Sequence, residues 1–206
     1  MRRNKISLKD NSIKKIMILG TEPGVGATHF SILLASYYVF ILGKKVCIVD
    51  LSETDDYQCM DRIYHGDNPF DTSDYIYPIK KIDFLISSGN PDRQKLIRTA
   101  LAHSHDIIIF DNGTKSDAVE KDMIMCDRKY MIGNCSLWKV LGFEKQISRL
   151  TNIHAYQYLY TFGQIENTEA MRRKYGIKIR QIPYTDSPFR IEKKQLSEIE
   201  KIIWEE

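Results

Sequence analysis

Short runs of Ile, Val, Leu and Phe recur along this chain, separated by longer amphipathic or polar stretches. Read by period, they predict strands at Lys15–Gly20, Lys45–Asp50, Ile82–Ser87, Asp106–Asp111, Arg128–Gly133, His154–Phe162 and Lys178–Ile182. Between them, helical spacing predicts helices at Thr28–Leu42, Pro91–His103, Ser116–Met125, Leu137–Leu150, Glu166–Lys174 and Glu192–Trp204. Gly43 is a natural C′ residue for the first helix, and Asn90 with Pro91 suits the start of the second. The stretch from Ser52 to Pro78 is polar and aromatic, with room for one short helix. Asp106–Asp111 (Asp-Ile-Ile-Ile-Phe-Asp) is nearly continuous in apolar character, as expected of a central parallel strand covered on both faces. Strands alternating with helices predict an α/β fold, doubly wound, with a mostly parallel sheet flanked by helices. The expectation is a single domain over residues 1–206, with 1–14 as a flexible N-terminal segment.

Composition changes little in this picture. With 206 residues, 43% hydrophobic and 28% charged, the chain suits one sizeable core. A net charge of +3 argues for no particular partner. Cys47, Cys59, Cys126 and Cys135 lack C-x-x-C spacing and read as reduced, buried thiols. The longest apolar run, Ile32–Leu42, is too short to span a bilayer, and a cytoplasmic location is expected.

Candidate chemistry concentrates where the first strand meets the first helix. Gly20-Thr21-Glu22-Pro23-Gly24-Val25-Gly26-Ala27-Thr28-His29 is a Gly/Pro turn opening directly into a helix, the context of a phosphate-binding loop. Gly26 holds the second glycine of that pattern, and Thr28 the hydroxyl that reaches Mg²⁺. Ala27 stands where the lysine belongs, and Thr21 where the first glycine belongs. Asp50 and Asp111 end two apolar strands, at the sheet edge where open α/β folds bind ligands. A carboxylate there can hold a metal through water or orient an attacking water; either can also cap a turn.

The order strand, Pro-Gly-Val-Gly-Ala-Thr loop, long helix, Lys-Lys-Val-Cys-Ile-Val-Asp, then His-Asp-Ile-Ile-Ile-Phe-Asp resembles the ParA/MinD family of P-loop ATPases with a deviant Walker A loop. Asp127–Trp138 and Ile182-Pro183-Tyr184 resemble later segments of that family. The resemblance implies ATP or ADP with Mg²⁺ as cofactor. It places Glu22, Pro23, Gly24, Val25, Gly26, Ala27, Thr28 and His29 around the phosphates, Thr28 and Asp111 at Mg²⁺, and Asp50 as the aspartate that orients water. It also implies a homodimer.

The departures matter as much. Both loop lysines of the family are replaced, by Ala27 and Glu22. Losing one charge-stabilising donor costs on the order of 10²–10³ in rate, so fast hydrolysis is not expected. His29 supplies at most partial compensation, and Lys115, Lys139 or a partner's lysine is a candidate replacement cation. The altered loop resembles the TadZ/CpaE branch, which implies a positioning or scaffold role with protein partners in a surface assembly such as a pilus or secretion system. A slow ATPase switch and a nucleotide-free interaction module are the alternative readings.

Other features are weaker. Arg172, Arg173, Lys174, Lys178 and Arg180 fit either DNA phosphates or a solvated helix end. The last helix carries Leu196, Ile199, Ile202 and Ile203 on one stripe, but Glu198 and Glu200 beside it favour packing on the sheet over membrane contact. Tyr57, Tyr64, Phe70, Tyr75 and Tyr77 suit core cover or an interface equally.

Overall fold

The computed structural model describes residues 13–52, 54–66, 74–87, 92–114 and 124–204. One eight-stranded sheet runs through it, in the order β3-β4-β2-β5-β1-β6-β7-β8. Its strands are β1 (Lys14–Gly20), β2 (Val46–Asp50), β3 (Asp74–Ile79), β4 (Ile82–Ser87), β5 (Ile107–Asp111), β6 (Arg128–Cys135), β7 (Gln157–Gly163) and β8 (Ile179–Gln181). All neighbours pair in parallel except β3 with β4. The described helices are α1 (Ala27–Ser36), α2 (Asp56–His65), α3 (Arg93–Ala102), α4 (Val140–Arg149), α5 (Ile165–Tyr175) and α6 (Lys193–Trp204). The fold class read from the sequence is the one observed.

The continuous apolar strands are explained by two cores, one on each face. Ile16, Ile18, Ile48, Ile109 and Ile132 point to one side, where α1 and α6 cover them. Met17, Leu19, Val49, Phe110 and Met131 point to the other, where α3, α4 and α5 pack. A strand buried on both faces keeps its period of two but loses its polar positions. Helix α6 buries Ile199, Ile202 and Ile203 in the first core, so its apolar stripe is spent on the sheet. No described helix is long and apolar enough to cross a membrane.

Several local expectations are corrected. The first helix is regular only to Ser36; a π-turn over Tyr37–Ile41 follows, keeping Tyr37 and Tyr38 both buried. The third predicted strand is the second arm of a hairpin whose first arm, β3, lacked a visible turn signal. Lys80 and Lys81 make that turn at φ 48° and 68°, the left-handed pair a two-residue hairpin needs. Pro78 is tolerated because β3 is the sheet edge. Asp92, not Asn90, caps α3: its carboxylate accepts from Gln94 N at 3.0 Å and Lys95 N at 3.2 Å. Asn90, Pro91, Lys115, residues 1–12 and most of the predicted helix Ser116–Met125 lie outside the described residues. Cys47 and Cys135 are buried free thiols, but Cys59 is exposed and Cys126 half-buried.

Helix α4 sits unusually close to β6, because Gly133 leaves room for the Phe143 ring. A Cβ at Gly133 would lie 2.3 Å from that ring. Gly133→Ala is therefore expected to destabilise the protein by about 1–3 kcal/mol, the usual overpacking cost, measured by denaturant unfolding. An unchanged midpoint would mean that α4 moves freely on the sheet.

Candidate functional site

The loop after β1 is rooted in both neighbouring strands. Gly20 N donates to Gly113 O at 2.7 Å, and Thr21 N to Ile132 O at 2.9 Å. The loop then folds back over its own root: a Cβ on Gly20 would meet Val25 Cγ2 at 2.9 Å. Gly24 and Gly26 take the left-handed conformation, at φ 79° and 87°. That turn places Gly26 as the N-cap of α1, its carbonyl accepting Phe30 N at 2.9 Å. Thr161 Oγ1, from β7, donates to Val25 O at 3.1 Å and fixes the outer side. No backbone N–H from Gly24 to His29 meets an acceptor among the described residues.

These donors face a cavity of about 230 Å³. Its wall is the loop from Glu22 through Thr28, completed by Thr54 and Asp56 before and at the start of α2 and by Gly113 and Thr114 after β5. Thr54 Oγ1 donates to Asp56 Oδ2 at 2.9 Å. Thr54, Asp56, Gly113 and Thr114 were not singled out in the sequence. Their one visible signal was position, just after two strands that end in aspartate.

Beneath the cavity lie Asp50 and Asp111, direct neighbours across the β2–β5 pair. Asp111 is fully buried. Tyr57 Oη donates to its Oδ2 at 2.7 Å and Gly113 N to its Oδ1 at 3.1 Å. Thr28 and Ser31 of α1 also favour its charged form, while Ser31 Oγ itself donates to Ala27 O at 3.0 Å. Burial still raises its carboxyl above the usual range, and these hydrogen bonds oppose the rise. Asp50 is 4% exposed and accepts from Ser52 N at 3.0 Å and Ser52 Oγ at 2.6 Å. Burial pushes its carboxyl up to about 7, with the Ser52 bonds opposing and Asp111 adding to the rise. Neither Asp50 nor Asp111 lines the cavity.

The charges around the loop are rearranged. Glu22 does not face the cavity alone: Lys139 Nζ, just before α4, donates to Glu22 Oε2 at 2.7 Å. The His29 imidazole turns away, with Nε2 2.8 Å from Thr185 Oγ1, and burial lowers its pKa. A neutral ring facing Thr185 supplies no compensating charge to the loop. Arg93 is spent elsewhere, donating to Leu51 O at 2.8 Å and Asn112 Oδ1 at 2.7 Å.

A run of N–H groups without protein acceptors at a helix N-terminus is a candidate anion site. The residues also fit a hard divalent cation. Thr28 is a half-buried hydroxyl in the cavity wall, and such oxygen donors are what Mg²⁺ takes.

No family model matches the sequence, and no curated protein is significantly similar to it. Solved structures do match. A plasmid partition protein from Borrelia burgdorferi B31, bound to AMPPNP, superposes with TM-score 0.67 at 16% identity, covering 93% of this chain and 97% of that one. A MinD cell division protein from Aquifex aeolicus gives 0.62 at 15%, covering 94% and 98%. A septum site-determining protein MinD from Pyrococcus horikoshii OT3, complexed with Mg-ADP, gives 0.57 at 15%, covering 93% and 94%. Such identities show fold, and the fold is that of the ParA/MinD P-loop NTPases.

Asp50 generates a test by pH. Its folded pKa of about 7 lies above the ordinary value of 3.8, so the folded state holds a proton that the unfolded state releases. Stability must then fall as pH rises from about 4 to about 7, and level off above. Asp50→Asn should flatten that decline in a thermal-midpoint series. An equally steep decline in the variant would mean that Asp50 is ionised throughout.

Proposed function

We propose that this chain is a nucleotide-binding positioning factor, holding ADP or ATP with Mg²⁺ weakly in the cavity and turning it over slowly or not at all. The observation that carries this reading is the row of unengaged N–H groups from Gly24 to His29, above the N-terminus of α1. Gly24, Val25, Gly26, Ala27 and Thr28 would cradle the phosphates, with Glu22 and Pro23 forming the rim. Thr28 and Asp111 would hold Mg²⁺, which when bound neutralises phosphate oxygens. The Borrelia and Pyrococcus neighbours, bound to AMPPNP and Mg-ADP, support the ligand class.

The absent lysine accounts for the expected weakness. Backbone N–H groups give geometry, but a charged donor adds about 1.5–3 kcal/mol. Asp50, the candidate for orienting water, is bonded to Ser52, which fits binding better than turnover.

A second surface supports a scaffold role. Leu137, Trp138, Leu141, Phe162, Ile165 and Tyr184 are all at least 60% exposed. Phe162 lies near the carboxyl end of β7, and the others come after β6, β7 and β8 in the chain. Large exposed apolar residues gathered on one rim mark a contact site. We assign this rim to a second copy of the chain, because it is continuous with the phosphate loop through Thr161. The assembly such a dimer would position is read, through the sequence resemblance alone, as a pilus or secretion system. DNA is the weaker partner, since Lys174 of the basic run is engaged by Glu144.

Calorimetric titration tests the ligand. The native chain should bind Mg-ADP below millimolar concentration, and Ala27→Lys should tighten binding by about tenfold or more. No heat from either protein would overturn the reading. Light scattering tests the rim: Trp138→Glu should shift a dimer of the native chain to monomer, and a native chain monomeric with Mg-ATP would sink the dimer.

A further inference from the structure

We infer that the cation missing from the phosphate loop has moved to Lys139, and that Glu22 holds it at the cavity mouth until an anion arrives. This rests on the reading of the cavity as a phosphate site.

The geometry is specific. Glu22 lines the cavity, and the Lys139 ammonium lies 2.7 Å from its carboxylate. Lys139 is not on a loose loop. Asn134 Oδ1 accepts from Ser136 N at 2.9 Å and from Ser136 Oγ at 2.7 Å, and Ser136 O accepts from Lys139 N at 3.0 Å. Phe143 then anchors α4 against Gly133. The backbone of Lys139 is thereby fixed beside the loop, while its side chain, 44% exposed, is free to turn.

Partners of this kind exchange readily. A surface ion pair contributes about 0–1 kcal/mol, whereas an ammonium on a phosphate oxygen makes a stronger, charge-assisted bond. An arriving polyphosphate therefore outcompetes Glu22 for Lys139. Glu22 is left facing a like charge, which weakens binding. The pair reverses the usual arrangement: the loop bears the acid, and the sheet edge after β6 bears the base.

The two residues must then act in opposite directions on affinity. In titrations of the full chain with Mg-ADP and Mg-ATP, Lys139→Gln should weaken binding by about tenfold or more, and Lys139→Arg should restore much of it. Glu22→Gln should tighten binding several-fold, by roughly the cost of one like-charge contact. Thermal midpoints of all three variants should stay close to native, as for an exposed pair. A merely structural bridge cannot produce opposite signs, because removing either partner breaks the same contact. Native affinity in Lys139→Gln, or weaker binding in Glu22→Gln, would overturn the inference and leave the phosphate site standing. Absence of binding by the native chain and by Glu22→Gln would overturn both.

Discussion

A carboxylate with no access to water, Asp111, organises the rest of the site. Burying a charge is costly unless hydrogen bonds replace its hydration. Here the replacements come from separate elements: Tyr57 from α2 and Gly113 from the turn after β5. Each bond therefore fixes one wall of the cavity. Tyr57 is held in turn, since Tyr77 Oη donates to its carbonyl at 2.9 Å, which ties the edge hairpin to the same point. Moving any of these elements would leave a buried acceptor short of a partner.

The loop above Asp111 solves a different problem with the same economy of charge. Left-handed Gly24 and Gly26 turn consecutive N–H groups to one side, and the N-terminus of α1 adds its partial positive charge. Fixed dipoles of this kind need no lysine to favour an anion. What a lysine adds is depth of binding and stabilisation of developing charge, the terms that matter most for hydrolysis. A loop that keeps Gly24 and Gly26 keeps the backbone shape those two residues set.

Legibility from sequence followed the range of the interactions. The central strands were readable because burial on both faces leaves an unbroken apolar run, as in Ile107–Phe110. The glycine loop was readable because its backbone requirement is local. Hairpin β3–β4 was missed because Lys80 and Lys81 adopt positive φ without the usual glycine or asparagine. Asn90 looked like a cap, but Asp92 makes the bonds, a difference of two residues that helical spacing alone does not resolve. Tyr57 on Asp111 and Lys139 on Glu22 join residues 54 and 117 positions apart, and only the folded sheet brings them together. Their residue types were visible, their pairing was not.

The exposed apolar residues and the cavity beside the loop share the same short segments. Thr161 bonds the loop at Val25, while Phe162, the next residue of β7, stands 60% exposed on the rim. On the other side, Trp138 and Lys139 are adjacent, one exposed to solvent and one bonded to the loop through Glu22. A group that draws Lys139 away from Glu22 acts one residue from Trp138. Conversely, a protein pressed onto Trp138 and Phe162 would restrict both supports of the loop. Binding energies at two surfaces sharing the same short segments are reciprocally linked, whatever the size of the coupling. Linkage requires only that occupancy of one surface changes the free energy of the other.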